Sequence, residues 1–579
     1  MFTIPDNKGR ITQPNEGNAR SNVLMSYGLD LETNKGKIGV SEQVKKLVNT
    51  TDNADFAGYA AAILAYSDNG STGKLFAISD KAFSASYADP LGTWSEETVG
   101  SEPDSGNTVM DAVYFDGLVL VSESNDIKSW NGTTWTSWWQ TTLGQSALVS
   151  GERHLMKVGS DGNLYIVDDG RKVYRVTPTG TITKTGNGSL DYSATNLELT
   201  CMAVTSTRLF IGTKDLTGDE ATIIEWDMSP SASTANKLHK IGAKSVPCIA
   251  VWNDTPIAIL SDGKVKYFNG ASFVEFDKTN IKFPVGTGYE LDEDFIHPNG
   301  WAIIDNLPHF LVTGRTDTSV TLTSTKQSDY RMPAGVWCLD PSIGLYHRYA
   351  LGTGLTPQED YGKIGISAVG ALYSLQKTES KFLASYEYYP DNEGAAISVL
   401  AYQDNTNTQP SRGYLMTPFV LNLKAVAKNI ESYHQRMVTG ESMNIYWRSE
   451  EQNALAQSAT WASTTQANIV GINLGITRGD VAFVKMGNGS GQLLRVDSVN
   501  ESSATTAITF TEANTFVTAG DLGAFDFLNF KFIGTIDDTT RDYHTFNYPT
   551  TEQKRRVQLL VEFRQAANNK MELDYLISS

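Results

Sequence analysis

The sequence predicts an all-β protein: a seven-bladed β-propeller followed by an antiparallel β-sandwich that carries an inserted small β domain. Three observations lead to this fold class. Apolar segments recur about every 46 residues up to about residue 400, a period typical of propeller blades. Beyond that point the period fades, but alternating strands continue. The chain is also rich in Gly, Tyr, Phe and Trp and only 19% charged, as expected of short strands joined by tight turns.

The repeat is clearest in two segments that align without gaps, 127–138 and 265–276. Each consists of an alternating strand, an Asn-Gly turn at Asn131 or Asn269, and a strand rich in aromatic residues, which predicts a β-hairpin. Segments 172–176 and 222–226 fill the positions between them. Seven short apolar strands predict seven blades within residues 51–400. They are Leu75–Ile78, Leu118–Val121, Leu164–Val167, Leu209–Gly212, Ile257–Leu260, Phe310–Thr313 and Leu372–Leu375.

The C-terminal third predicts two further units. Alternating strands lie near both ends of this region, and we expect residues 401–454 and 536–579 to pair as one antiparallel sandwich. Between them, two strands flank the glycine-rich turn at 487–491, which predicts a small β domain over residues 455–535. Residues 1–50 are interpreted as an N-terminal arm with a strand that leads into the propeller.

The charge and the cysteine content narrow the classes of function. With 47 Lys and Arg against 65 Asp and Glu, the formal net charge is −18, which argues against a protein that binds nucleic-acid phosphates or an anionic membrane surface. A negatively charged channel through which DNA slides is still compatible with this charge. Similar apolar runs around Cys201 and Cys248 predict buried free thiols in equivalent strands. With Cys338 the cysteine count is odd and no CxxC motif occurs, which argues against a disulfide scaffold or a zinc site.

Neither a signal-peptide h-region nor a run of 18 apolar residues is found, so we expect no membrane-spanning segment and no secretory export. No motif predicts catalysis, a cofactor or a metal centre. The seven histidines form no HExxH or HxH motif, and the glycines at 487–491 lack the following helix and Gly-Lys-Ser/Thr of a phosphate-binding loop. We therefore expect no enzyme.

Three other motifs have a simple structural interpretation. The turn at Asn131 is similar to the Asp-box turn of sialidases but lacks the Asp, so a structural turn is favoured. Arg478-Gly479-Asp480 has the letters of an integrin ligand, and a turn that begins a strand is the better interpretation. The acidic run from Glu290 to Asp294 offers oxygen ligands of the kind that calcium prefers, although a solvated loop is favoured.

Most tryptophans lie at recurring positions of the repeat and are therefore expected in the core between blades. Trp138 and Trp139 differ, because adjacent residues of a strand point to opposite faces of its sheet. One of the two rings is therefore expected to leave its core face and to contact a neighbouring subunit or a ligand.

Several segments together resemble virion tail proteins of tailed bacteriophages that have a propeller body. They are residues 9–18 leading into 30–41, the hairpin at 130–135, the strand at 335–340, the strands around 446–448 and 557–559, and the glycine-rich insert. The tail nozzle, or tubular protein, of short-tailed phages is one such protein, and in it propeller-bearing subunits form a ring through which DNA leaves.

This resemblance implies a structural virion protein, made in the host cytoplasm and located in the tail. It implies assembly with copies of itself in a ring, contacts with other tail proteins such as an adaptor or fibres, and transient passage of DNA. It also implies that Ile11, Thr12 and Gln13, which precede the first blade, contact a neighbour.

Two other functions stay open on the sequence alone. A carbohydrate-binding adhesin or receptor-binding protein predicts exposed aromatic rings at the propeller rim. A propeller glycosidase predicts Arg, Asp and Glu clustered in a funnel at one end of the channel.

Overall fold

A computed structural model of the chain has β-strand as the regular secondary structure of the described residues, apart from one π-helical turn, Trp138–Thr142. It describes residues 3–6, 10–12, 25–27, 29–30, 38–40, 43–47, 60–66, 73–103, 109–218, 220–276, 281–283, 291, 296–312, 335–341, 344–349, 351, 365–375, 382–389, 397–404, 412–416, 420–421, 429–434, 436–448, 455–485, 491–513, 522–527, 530–547, 556–564 and 572–578.

Six sheets of the same kind follow one another from residue 62 to residue 349. In each of them four consecutive strands pair antiparallel with their neighbours in chain order. The first is β7 (Ala62–Tyr66), β8 (Lys74–Ile78), β9 (Ala82–Ser86) and β10 (Ser95–Glu96); the second is β11 (Asp111–Phe115), β12 (Leu118–Ser122), β13 (Ile127–Trp130) and β14 (Trp135–Ser137); the third is β15 (Met156–Val158), β16 (Leu164–Asp168), β17 (Lys172–Val176) and β18 (Ile182–Thr183), with β19 (Leu190–Asp191) added to β17. The fourth is β20 (Leu197–Val204), β21 (Leu209–Asp215), β22 (Thr222–Trp226) and β23 (Lys237–Lys240); the fifth is β24 (Cys248–Trp252), β25 (Thr255–Ile259), β26 (Val265–Phe268) and β27 (Phe273–Glu275); the sixth is β28 (Trp301–Ile304), β29 (Leu307–Val312), β30 (Gly335–Asp340) and β31 (Gly344–Tyr349).

A seventh sheet is completed from the other end of the chain. Three of its strands are β32 (Gly365–Ser374), β33 (Phe382–Tyr389) and β34 (Ile397–Asp404), and the outer fourth strand is β6 (Gln43–Lys46). Val44 of β6 is fully buried among apolar side chains of the sixth and seventh sheets, including Tyr386 and Val399. The N-terminal part of the chain therefore finishes the sheet that the C-terminal part of the propeller begins.

The first strands of these sheets surround a common axis. Each of β7, β11, β15, β20, β24, β28 and β32 contacts the next, and β32 contacts β7. Apolar side chains fill the space between adjacent sheets; Phe76 of the first sheet, for example, meets Trp130 and Trp135 of the second edge to face. The predicted all-β class and the propeller architecture are confirmed, and seven successive sheets among the described residues are the pattern expected of seven blades.

The repeat predicted from the sequence is a real structural unit. Segments 127–138 and 265–276 supply the third and fourth strands of the second and fifth sheets. Asn131 Oδ1 accepts hydrogen bonds from the backbone N–H groups of Thr133 and Thr134, and Asn269 Oδ1 does the same two and three residues further on. Six of the seven apolar strands are second strands of their sheets. The seventh segment, Leu372–Leu375, also marks its own sheet, but residues 372–374 lie in the first strand, β32.

Two further sheets contain the strands predicted for the sandwich, but its predicted bounds need two corrections. Residues 401–404 belong to the propeller strand β34, and residues 531–535, predicted in the inserted domain, belong to a strand of the first of these sheets. The first sheet is β3 (Met25–Tyr27), β35 (Arg412–Met416), β47 (Arg556–Arg564), β38 (Ser442–Arg448) and β45 (Lys531–Ile536), with β36 (Val420–Leu421) added to β47; the second is β4 (Leu29–Asp30), β5 (Ile38–Val40), β48 (Glu572–Ser578), β37 (Asn429–His434) and β46 (Tyr543–Asn547). Residues 1–50, interpreted from the sequence as an arm, thus contribute strands to both of these sheets as well as to the propeller. At the beginning of the chain, β1 (Thr3–Asp6) and β2 (Arg10–Thr12) pair as a hairpin outside these sheets, and β1 contacts β48.

The inserted unit is a closed barrel. Its strands, in spatial order, are β39 (Leu455–Ser463), β40 (Gln466–Val470), β43 (Thr505–Phe510), β42 (Gly491–Glu501), β41 (Val481–Lys485) and β44 (Leu522–Phe527). Closure gives every strand two neighbours, so the barrel has no free edge of its own.

The three cysteines are free and buried, and Cys201 and Cys248 occupy the first strands of adjacent sheets, as predicted. Within the ranges given above, no helix has the length and apolar character needed to cross a membrane.

Candidate functional site

The connections between strands are distributed unequally over the two faces of the propeller. In an antiparallel four-stranded sheet, the connection from the second to the third strand and the one leading to the next sheet leave from the same face. The longest connections, residues 276–300, 313–334 and 138–155, are all of these two kinds. We call this face the long-loop face and the opposite one the hairpin face. Since connections usually carry binding residues, the long-loop face is the candidate functional end.

Side chains from several sheets meet on the axis at this face. Asn299 precedes β28 of the sixth sheet, and its Oδ1 accepts a hydrogen bond of 2.7 Å from Lys157 Nζ of the third. Its Nδ2 donates to the carbonyl of Ala61 at 3.0 Å and to Asp111 Oδ1 at 2.6 Å, which belong to the first and second sheets. Its carbonyl accepts from Leu372 N of the seventh at 3.0 Å. Asn299 therefore bridges the propeller axis at this level.

Asp111 is the acidic member of this axial cluster, which we define as Asp111, Lys157, His297 and Asn299. Its carboxylate is only 1% exposed, and besides Asn299 it accepts hydrogen bonds from the backbone N–H groups of Ala112 and Met156, both at 2.8 Å. Asp111 thus ties the second sheet to the third and holds Asn299 in place. This geometry makes it a positioning group.

His297 lies beside Asn299 and is buried. Its Nδ1 accepts a hydrogen bond of 3.1 Å from Asn299 N, so the proton of the neutral ring is on Nε2. Burial, together with the nearby positive charges of Arg153 and Lys157, lowers the pKa of His297 well below its usual value. His297 is therefore neutral at physiological pH, which leaves Lys157 and Arg153 as the cations next to it.

This environment gives a testable pH dependence. As pH falls below about 6.5, the unfolded chain takes up a proton at His297, whereas the folded chain does so only at a lower pH. Folding is therefore destabilised by up to about 1.4 kcal/mol per pH unit between these two pKa values. We expect His297→Asn, whose amide oxygen can accept the same hydrogen bond, to lose less stability than the native chain between pH 7 and pH 5. Chemical denaturation across this range measures the difference, and parallel curves would contradict it.

A second polar cluster lies where the barrel meets the sandwich, and we call it the barrel clamp. Arg564 of β47 donates to Glu562 at 3.0 Å and to Glu512, which follows barrel strand β43, at 2.8 Å. Glu562 is fully buried and also accepts from Asn444 Nδ2 at 2.8 Å and from Tyr446 Oη at 3.2 Å. Burial disfavours the charged guanidinium, but the two carboxylates outweigh this effect and raise the pKa of Arg564.

Apolar contacts surround the clamp. Val481 and Leu493, on the outside of the barrel, pack with Tyr446 and Leu560 of the sandwich and with Phe530. The Arg495 guanidinium lies 4.9 Å from the ring centre of Phe532, a cation–π contact between the two units. The barrel is therefore held in one orientation on the sandwich.

The structure separates the residues that the sequence singled out as contacts. Ile11 and Thr12 lie in β2, where Thr12 pairs with Thr3 of β1, and Gln13 lies outside the described residues. A neighbour contact through these three residues is still a prediction.

Trp138 and Trp139 require a correction. They begin a π-helical turn, Trp138–Thr142, and are 6% and 0% exposed. The Trp139 ring stacks on Tyr174 with an interplanar angle of 2°, and Trp138 meets Phe115 edge to face. The expectation that one ring leaves the core is wrong, because the turn directs both rings into the space between the second and third sheets. Neither ring is available for a surface contact.

The Arg-Gly-Asp segment and the glycine-rich run have structural roles wherever their residues are described. Gly479 has a φ of +91°, and Asp480 accepts hydrogen bonds from the backbone and hydroxyl of Thr477, so the segment 478–480 is a turn that begins β41. Of the glycine-rich run only Gly491 is described, at the start of β42, which pairs with β41 as a hairpin. The four acidic residues of the run from Glu290 to Asp294 lie outside the described residues. In the described part of the chain, no group of three or more His, Cys, Asp or Glu side chains could hold a metal ion.

Neither a protein-family model nor a curated protein matches the sequence. Similar solved structures include the computationally designed Ika8 protein, with 13% identity over 67% of this chain and 97% of that one and a TM-score of 0.34. A chain from an S. cerevisiae complex of dbp5 with nup159, gle1, ip6 and adp has 12% identity over 66% of this chain and 96% of its own, with a TM-score of 0.35.

The extracellular domain of a hybrid two component system from B. thetaiotaomicron has 11% identity over 88% of this chain and 61% of its own, with a TM-score of 0.40.

Proposed function

We propose that this protein is a structural component of a bacteriophage tail, in a nozzle, hub or tip ring that serves assembly and DNA passage. The observation that supports this most is the way the chain interlocks its units. Strands from residues 25–46 enter both sandwich sheets and the seventh propeller sheet, and the barrel is clamped to the sandwich. Because its units share sheets, a mechanical load passes between them through rows of hydrogen bonds. This property suits a protein of a particle that is under internal pressure.

The distribution of charge supports DNA passage. Residues 51–400 contain 42 Asp and Glu but only 25 Lys and Arg, so nearly all of the net charge of −18 belongs to the propeller. An acidic wall does not bind phosphates, so DNA passes along it without being held. Because Asn299 bridges the propeller axis, the conduit in this proposal is the space enclosed by several subunits, and the channel of a single propeller is not used.

The proposal is tested on purified particles of the phage whose genome encodes the chain. We expect mass spectrometry of virions to detect the protein in several copies per particle, and electron microscopy with a specific antibody to place it in the tail. Its absence from virions would overturn the proposal. Binding or turnover of host glycans by the purified full chain would then favour the adhesin or glycosidase alternatives.

A further inference from the structure

The axial cluster places a lysine amine and a carboxylate on the same side-chain amide. Lys157 Nζ lies 2.7 Å from Asn299 Oδ1, and Asp111 Oδ1 lies 2.6 Å from Asn299 Nδ2. Because a carbonyl bond is about 1.2 Å long, Nζ is within about 3.9 Å of the amide carbon Cγ. Reacting atoms in a near-attack arrangement are about 3–3.5 Å apart. A small shift of the Lys157 side chain therefore brings its nitrogen to the distance at which it can attack this carbon.

The fold holds all three groups in place. The Asp111 carboxylate accepts from the backbone N–H of Met156 at 2.8 Å, so it also fixes the strand position next to Lys157. Asn299 Nδ2 donates to the carbonyl of Ala61 at 3.0 Å as well as to Asp111, so both hydrogens of the amide nitrogen are directed to acceptors. Asp111 is only 1% exposed. A carboxylate fixed in this way beside a reacting amide is placed to act as a general acid and base.

We propose that Lys157 and Asn299 join their side chains through an isopeptide bond, with Asp111 as the group that transfers the proton. The unprotonated Nζ attacks Cγ, so the Nζ–Cγ bond forms while the Cγ–Nδ2 bond breaks. Asp111 takes one proton from Nζ and gives it to Nδ2, which leaves as ammonia. The proton that the lysine ammonium loses before the attack converts this ammonia to ammonium. The reaction therefore needs no oxidant, reductant or co-reactant.

The bond links residues 142 positions apart and joins the third and sixth sheets covalently across the propeller axis. Unfolding then leaves a closed loop of this length in the chain, which restricts the unfolded state and raises the unfolding temperature. The inference does not depend on the proposed tail function, because it concerns a reaction within one chain.

A competing reaction of Asn299 also releases ammonia. An asparagine that precedes a glycine cyclises when the backbone nitrogen of the glycine attacks Cγ, and Gly300 follows Asn299. In this structure Gly300 N donates to the carbonyl of His297 at 2.7 Å, so cyclisation must first break that hydrogen bond. The geometry therefore favours Lys157 as the nucleophile, and the experiment has to distinguish the two products.

Mass spectrometry of the denatured full chain tests the proposal. We expect the native chain to be lighter than its sequence by one ammonia. A tryptic digest should contain residues 154–171 joined to residues 283–315, because trypsin does not cleave after a lysine whose amine is acylated. Lys157→Arg keeps the positive charge, but its guanidinium stays protonated and cannot attack, so this variant should have its full sequence mass. The matched control is Lys266→Arg, whose native lysine donates to the carbonyl of Ile241 at 2.8 Å, and it should retain the loss of ammonia.

Two results would overturn the proposal. One is a native chain of full sequence mass that still yields residues 154–157 and 158–171 as separate peptides after prolonged incubation. The other is a loss of ammonia that persists in Lys157→Arg without a joined peptide, which would assign the reaction to Gly300.

A variant of Asp111 tests the proton transfer. Asp111→Asn keeps the size of the side chain but removes the group that takes up and returns a proton. In folded protein, as judged by near-ultraviolet circular dichroism, we expect linked chain to accumulate about 100-fold more slowly than in the native protein. Equal rates would overturn the role assigned to Asp111. The mass of the native chain decides the bond itself even if this variant does not fold.

Discussion

Removal of residues 1–47 is expected to abolish folding, whereas removal of residues 1–24 is expected to leave a folded protein. Of the described strands, the shorter deletion takes away β1 and β2, which pair with each other in sheet hydrogen bonding, although β1 also contacts β48. The longer one also removes the outer strand of the seventh propeller sheet and three strands of the sandwich sheets. It exposes the apolar residues that Val44 covers and leaves the edge of β34 unpaired.

Soluble yield, near-ultraviolet circular dichroism and thermal unfolding measure the difference between the two deletions. A single substitution also tests the role of the N-terminal strands. Val44 is fully buried, so Val44→Asp introduces an unpaired charge into the core and should severely reduce the amount of folded protein. A folded, cooperatively unfolding chain without residues 1–47 would show that the N-terminal strands are dispensable, contrary to the structure.

Replacement of Arg564 by Met is expected to lower the free energy of unfolding by about 3–5 kcal/mol, because it leaves the fully buried Glu562 without its cation. The matched control is Arg478→Met. Arg478 is 82% exposed and pairs with Asp497 at 3.3 Å, so its loss should change stability by less than about 1 kcal/mol. Denaturant unfolding and limited proteolysis of the full chain compare the two variants.

A double variant distinguishes the cost of leaving the Glu562 charge unpaired from the cost of losing the contact between Glu562 and Arg564. Glu562→Leu combined with Arg564→Met removes both charges, and we expect it to recover much of the stability lost in Arg564→Met alone. Equal stabilities for Arg564→Met and Arg478→Met would show that the clamp contributes no more than a surface ion pair.

Local features of the fold were predictable from the sequence. The hairpins at Asn131 and Asn269 depend on residues two and three positions away, so one segment of sequence contains the whole signal. The equivalent strand positions of Cys201 and Cys248 were predictable for the same reason, because each cysteine lies within its own short apolar segment. The pair Trp138 and Trp139 was not predictable from strand alternation, because a π-helical turn replaces the strand at that point.

The axial cluster and the N-terminal strands depend on distant residues. Asn299 meets Asp111 and Ala61 across 188 and 238 positions, and nothing near Asn299 in the sequence indicates those partners. β6 is four residues long, and its partner β34 lies at the far end of the propeller. Short strands with remote partners have no periodic signal of their own, so the sequence supports only an arm with one strand that leads into the propeller.

The interlocking of the two chain ends has a consequence for how the protein is made. The strands near the N-terminus emerge from the ribosome first, yet their partners β34, β35 and β48 are synthesised much later. At ordinary rates of translation a chain of 579 residues takes about half a minute to two minutes to complete. During that interval β6 has no partner until β34 is made, and β3 has none until β35 is made. β5 can pair early with β4 but waits for β48, so the last propeller sheet and the sandwich sheets are completed late in synthesis. In a newly made chain β3 and β6 are therefore exposed as unpaired strands until these partners have emerged.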